Sequence, residues 1–161
     1  MPLPTQRPPG LGSPWTRRLI KYGARANTAI FRATRGRVGS TWRISAGWRE
    51  PVPILLLEHV GRTSGKRFTA PLVYLDDGPR LIVVASQGGL PTHPQWFRNL
   101  QVTPEATVIL KGEGHRQVRA RVASAAEKAE LWPRMVDLYS DFDTYQGWTD
   151  RDIPIVVLDP R

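Results

Sequence analysis

Seven residues, Gly61-Arg62-Thr63-Ser64-Gly65-Lys66-Arg67, place three cations, two hydroxyls and two glycines between two apolar runs. A turn so dense in N–H groups, hydroxyls and positive charge can seat a phosphate or carboxylate, and it can equally be a well-solvated hairpin loop. It is not a Walker A loop, which needs four residues between its glycines and a Ser or Thr after Gly-Lys. Here three residues separate the glycines, and Arg67 stands where the magnesium-binding hydroxyl belongs.

Three more stretches carry groups able to meet a ligand. Ala85-Ser86-Gln87-Gly88-Gly89 ends an apolar run, and its glycines allow a flat ligand to approach the backbone closely. "PTHPQWFRNL" (residues 91–100) enters a short helix and sets the Asn99 amide about one turn from Trp96. Tyr139, Phe142, Tyr145 and Trp148 recur every third residue, a spacing that stacks rings along one side of a segment. Polar and small residues between them suit a partly open aromatic wall, although a core-packing stripe has the same spacing. No Ser/His/Asp, Cys/His or close carboxylate pair has catalytic spacing, so chemistry here would belong to a cofactor. The chain has no cysteine and three scattered histidines, which predicts neither disulfides nor a metal centre.

The elements that must hold these groups read as follows. Residues 1–13, rich in Pro and Gly, are expected to be disordered. Ser13-Pro14 caps a helix over residues 14–35, with Trp15, Leu19, Tyr22, Ala26 and Ile30 on one face and arginines on much of the remainder. Residues 36–51 read as a loop or lid carrying Trp42 and Trp48, so that 14–50 form a basic helix plus lid. Residues 51–161 then form a barrel domain with strands at 52–60, 67–77, 80–86, 105–111, 115–123 and 153–160. Pro71 marks the second strand as an edge or a bulge. Helices are expected at 94–101 and, opened by a Ser124…Glu127 capping box, at 125–132. Pro133 is expected to start a further helix to 139, and 140–152 to be a loop with at most a short helical turn. The fold class is therefore mainly β with added helices: a small antiparallel barrel of about six strands with peripheral helices.

Charge is unevenly placed. Residues 1–50 hold ten of the 23 Lys+Arg and one of the 14 acidic residues, so the whole excess of +9 lies there. A neutral domain with a basic arm points to an appendage that seeks an anionic surface, and away from nucleic acid. The N-terminus has no apolar signal region, and the longest apolar run is strand-sized. A cytoplasmic chain is expected, with residues 14–37 able to touch the inner face of an anionic membrane.

In order along the chain, "GRTSGKRFTAPLVYL", "LIVVASQGG", "PTHPQWFRNLQVTPEATV", "ELWPRMVDLY" and "YQGWTDRDIPIVVLDP" resemble the deazaflavin (coenzyme F420)-dependent nitroreductase/quinone reductase family of actinobacteria. The resemblance runs from about residue 15 to 160. It implies the split β-barrel of flavin-binding oxidoreductases and hydride transfer from reduced F420 to a quinone or a nitro acceptor. By position, it implies that Arg62, Thr63, Ser64 and Lys66 bind the anionic cofactor tail. Phe68, Thr69, Ala70, Pro71 and Leu72 then form the strand edge beside the phosphate and ring. Val84, Ala85, Ser86 and Gln87 run along the ring, and Gln95, Trp96, Phe97, Arg98 and Asn99 close the channel. Tyr139, Phe142 and Tyr145 wall the substrate pocket opposite Ser86, and Ser86, Tyr139 and Tyr145 are the candidate hydrogen-bond donors to the acceptor oxygen. The chain departs from the family pattern at Thr63, where a cation is common, and at Phe142, where a nitro-reducing relative has tyrosine. The alternatives are an FMN- or haem-binding split barrel and a non-catalytic membrane-binding barrel.

Overall fold

Leu55, Leu57, Val83, Val108, Val118 and Leu158 each lie on the inward-facing side of a strand, and together they close a sheet around one core. The computed structural model describes residues 3–42 and 50–161. Strands β2 (Val52–Val60), β3 (Arg67–Asp77), β4 (Arg80–Val84), β5 (Glu105–Leu110), β6 (Gly114–Val122) and β7 (Ile155–Pro160) pair antiparallel in the order β2-β3-β4-β7-β6-β5. Pairing of β2 with β5 (Leu56 opposite Ile109) closes the barrel. A two-residue strand, β1 (Thr41–Trp42), adds to the outer end of β2 inside the expected lid. Trp48 and the side chain of Trp42 lie outside the described residues.

All six expected strands are present. Pro71 sits where the sequence places an edge: residues 67–73 pair with β2, whereas β4 pairs only with residues 74–77. The missing proline N–H therefore faces an edge with no ladder partner among the described residues.

Helix α2 (Gln95–Leu100) drives Trp96, Phe97 and Leu100 into the barrel core, and α3 (Ala125–Leu138) and α4 (Asp141–Gly147) cover a second core on the outer face of β4 and β7. Two expectations are corrected here. Pro133 does not divide two helices but lies within α3. Both Pro133 and Ala129, whose carbonyl the proline leaves without its helical donor, are exposed, so water takes that carbonyl. Buried Leu131 and Met135 on the other face, with the capping box of Ser124 and Glu127, hold the helix through it. Residues 141–147 are a full helix, since Phe142 and Tyr145 turn toward the second core at helical spacing and Asp141 and Asp143 favour the first turn.

Helix α1 (Pro14–Ala33) starts from the Ser13 cap, whose Oγ accepts from the Thr16 N–H. Among its residues Phe31 is the buried one, and Arg32 pairs with Glu58 and donates to the Thr69 hydroxyl at 2.9 Å. Trp15, Leu19, Tyr22 and Ile30 are 75%, 71%, 63% and 45% exposed. At 100° per residue they form one stripe, flanked by a second stripe of Arg17, Arg18, Lys21 and Arg25.

Candidate active site

The GRTSGKR turn is folded by its own backbone: Gly61 N–H donates to Lys66 C=O at 2.8 Å and Gly65 N–H to Gly61 C=O at 2.9 Å. A Cβ at Gly61 would lie 2.6 Å from a ring carbon of Phe68 and 2.8 Å from Ser64 Oγ, so a larger residue there would have to displace those side chains. The turn is bolted to α2. Arg62 Nη1 donates to Gln95 Oε1 at 2.7 Å and to Asn99 Oδ1 at 3.0 Å, and the Arg62 backbone N–H also reaches Asn99 Oδ1 at 3.2 Å. Asn99, itself buried, contacts buried His59 Nδ1 through Nδ2 at 3.1 Å. Burial lowers the His59 pKa, so the ring is neutral at neutral pH and its Nδ1 is an acceptor for the amide. Arg62 thus ties the turn to α2 through one guanidinium nitrogen and its backbone N–H, while Lys66 and Arg67 are exposed with no carboxylate partner among the described residues.

At the far end of α2's approach, β4 stops at Val84, two residues before the sequence predicts, and Gln87–Gly89 form a tight left-handed turn. Gln87, Gly88 and Gly89 all have positive φ, 47°, 61° and 71°. Gln87 Nε2 donates to the Thr92 hydroxyl at 3.0 Å. The Ser86 hydroxyl is half-exposed and makes no hydrogen bond among the described residues. Gly89 rests on α4: a Cβ there would be 2.7 Å from the Tyr145 carbonyl oxygen. That contact brings the Ser86 turn against the backbone of the aromatic segment.

The aromatic segment itself is partly core. Tyr139 and Phe142 are buried, with ring centroids 5.1 Å apart edge to face, and Tyr145 is half-buried between Tyr139 and Trp148. The Tyr139 and Tyr145 hydroxyl oxygens are 3.5 Å apart. Burial raises both phenol pKa values, and the charge of Asp141 adds to the effect, so both stay protonated and can act as O–H donors rather than bases. The N-terminal segment reaches this region, with Trp148 Nε1 donating to Pro4 C=O at 3.2 Å and Gly12 lying against Leu90.

Of the residues expected along the cofactor, Thr63, Ser64, Lys66 and Phe68 are exposed, and Thr69, Ala70, Pro71 and Leu72 are half-buried on β3. Gln95 and Arg98 are exposed on α2. Val84, Ala85, Trp96 and Phe97 direct their side chains into the two cores, so only their backbone borders the site. Sequence reasoning missed Arg151, whose guanidinium lies among the carbonyls of residues 85–90, and His59, whose partner Asn99 is forty residues away. In sequence, an arginine between two aspartates in "TDRDIP" reads as an ordinary solvated loop residue.

Comparison with known proteins now adds to this geometry. The family model for F420H(2)-dependent quinone reductase matches residues 23–160. A Mycobacterium tuberculosis protein named for that activity, Rv3178, is 56% identical over 119 residues, covering 74% of this chain and 99% of its own. A second protein of that organism, the F420H(2)-dependent quinone reductase Rv1261c, is 34% identical over 140 residues, covering 85% of this chain and 89% of its own. A solved F420-H2 dependent reductase (FDR-A) superimposes with a TM-score of 0.61 at 32% identity, over 66% of this chain and 94% of that one. With the barrel, the turn and the aromatic segment in place, these matches establish that the chain belongs to the F420H(2)-dependent quinone reductase family.

Proposed function

We infer that this oxidoreductase holds reduced F420 along the GRTSGKR turn, the open edge of β3 and the Ser86 turn, and reduces a quinone held against Tyr139, Phe142 and Tyr145. The observation that supports the reading is the seating of Gly89 on the backbone of Tyr145, which sets the Ser86 turn beside the helix that carries Phe142, Tyr145 and Trp148. The donor set suits the cofactor. Lys66 and Arg67, with no carboxylate partner among the described residues, complement an anionic phosphate and glutamate tail, and the hydroxyls of Thr63 and Ser64 are exposed beside them. When bound, the deazaflavin supplies a hydride. The residues of this chain hold the two rings in contact and donate hydrogen bonds, from Ser86 or Tyr145, to the acceptor oxygen as its charge grows, with Tyr139 behind Tyr145 in the core. A quinone is the preferred acceptor. A nitro acceptor comes second, because Phe142 offers no hydroxyl.

The deciding experiment is a fluorescence titration with oxidised F420 beside one with FMN, followed by turnover of F420H2 with a water-soluble naphthoquinone. Quenching by F420 at micromolar concentration and quinone-dependent F420H2 oxidation are expected. Tight FMN binding with no F420 quenching would overturn the reading.

A second reading concerns where the substrate is met. No helix among the described residues is long and apolar enough to cross a membrane. The exposed apolar and cationic stripes of α1 suit a helix lying in an anionic lipid surface, where each added cation contributes on the order of 1 kcal/mol. Replacing Trp15 and Leu19 by serine is expected to abolish sedimentation with phosphatidylglycerol vesicles and leave F420 affinity unchanged. Equal sedimentation of variant and parent would remove this reading.

A further inference from the structure

Arg151 occupies an unusual place for a charged residue. Its five N–H donors are matched by five contacts, all to neutral acceptors. Nε donates to Leu90 C=O at 2.8 Å, Nη1 to Ala85 C=O at 3.2 Å and His93 Nδ1 at 3.1 Å, and Nη2 to Ala85 C=O at 3.2 Å and Ser86 C=O at 2.6 Å. No carboxylate pairs with it among the described residues. It is therefore a partly buried cation whose partners are the backbone of the turn that carries Ser86.

That turn needs an external hold. Gly88 and Gly89 adopt positive φ without steric cost, but for Gln87, which has a Cβ, the left-handed conformation costs about 1–2 kcal/mol. Within the turn only Gly89 N–H to Ser86 C=O at 3.0 Å and Leu90 N–H to Gln87 C=O at 3.3 Å close on each other. The peptide group is planar and trans, so its N–H points opposite to its C=O. With the carbonyls of Ala85 and Ser86 turned onto the guanidinium, the N–H groups of Ser86 and Gln87 point away from it, and neither donates to a protein acceptor among the described residues.

Resting on the deazaflavin reading above, we propose that Arg151 is a positioning residue for hydride transfer: its guanidinium fixes the Ala85–Ser86 and Ser86–Gln87 peptide planes, so that two backbone N–H groups and the Ser86 hydroxyl are presented together to a ligand oxygen. The fixed positive charge behind the two peptides polarises them and strengthens the N–H groups as donors to an oxygen gaining negative charge. His93 completes the clamp as an acceptor. Burial, and then the charges of Arg151 and Arg98, lower its pKa, which keeps Nδ1 free of a proton and able to receive the Arg151 donor. A lysine cannot do this work, because one ammonium cannot reach Leu90, Ala85 and Ser86 in the plane of a guanidinium.

The test compares the full-length parent with Arg151→Lys and Arg151→Ala by three readouts: quenching of oxidised F420, amide hydrogen exchange at residues 85–90 with and without F420, and kcat and KM for F420H2 and a naphthoquinone. In the parent, F420 should slow exchange at Ser86 and Gln87. In both variants that local protection should vanish, with kcat falling about a hundredfold and F420 affinity about tenfold, an effect of the size expected for a misplaced catalytic contact. Millimolar guanidinium should restore part of the kcat of Arg151→Ala. Failure of the parent to bind F420 overturns the underlying reading. A parent that binds, beside an Arg151→Lys variant with parental kcat and parental protection at Ser86 and Gln87, overturns the Arg151 proposal. So does a variant that loses protection evenly throughout the barrel, since the arginine would then serve the fold alone. If Arg151→Ala does not fold, Arg151→Lys decides the question.

Discussion

Gly89→Ala is expected to cut kcat/KM for quinone reduction about a hundredfold, because displacing a catalytic contact by an ångström has an effect of that order. The added methyl would sit 2.7 Å from the Tyr145 carbonyl oxygen and 3.1 Å from Tyr145 Cα, both backbone atoms that a side-chain rotation cannot move. Residue 89 also has φ of 71°, where an L side chain costs about 1–2 kcal/mol. Overpacking adds about 1–3 kcal/mol unless α4 shifts outward. Either response separates the Ser86 turn from Tyr145. A loss of roughly 3 kcal/mol in a chain of this size corresponds to a fall in Tm of about 6–12 °C. Gly147→Ala, on the same helix, is the control: its Cβ would meet nothing within 4 Å, so both activity and Tm should hold. If Gly89→Ala matched Gly147→Ala in both measurements, the close seating of the turn on α4 would be wrong.

Asn99→Ala is expected to lower stability by about 2–4 kcal/mol, read from the midpoint of urea unfolding, because it strips partners from buried groups on both sides. Its amide serves Arg62 through the oxygen and His59 through the nitrogen, and the alanine leaves His59 Nδ1 buried with no donor. Arg62 would keep Gln95 alone, and the GRTSGKR turn would loosen from α2. Asn99→Asp separates the two halves. The carboxylate still accepts from Arg62 but cannot donate to a neutral His59. It should instead favour a protonated ring, reversing the burial effect that lowers the pKa of His59 in the parent. The sign follows: a folded-state pKa raised above the unfolded value of about 6.5 gives stability that is complete below pH 6.5 and is lost as pH climbs through the raised value. Urea midpoints for Asn99→Asp should therefore be higher at pH 5.5 than at pH 8. A flat profile would show that Asn99 and His59 are not coupled as the contact implies.

The barrel was legible in the sequence because its signals are local. Each strand is an apolar or alternating run bounded by Gly, Pro or Asp-rich turns, and Pro71 announced the open half of β3 by lacking a donor. Pro133 misled for a related reason. Its cost inside a helix depends on whether the freed carbonyl meets water, which is a property of the packed face and not of the residue. The aromatic series at 139–148 had two readings, wall and core, and the structure divides it between them: Tyr139 and Phe142 are core, while Tyr145 faces both ways. Asn99 could be picked out as an unusual amide, but its coupling to His59 exists only after β2 and α2 meet. Arg151 had no local signal at all, since what defines it is a set of carbonyls more than sixty residues earlier in the chain.

The open half of β3 has a further consequence for how this chain behaves at high concentration. Residues 67–73 offer backbone donors and acceptors that no strand takes up among the described residues, and such an edge can template pairing with another copy. Pro71 interrupts the row at its centre, and Arg67 puts a charge at its start, two devices that discourage a second chain from adding on. The same seven residues thus leave an edge unpaired yet unattractive to a fibril.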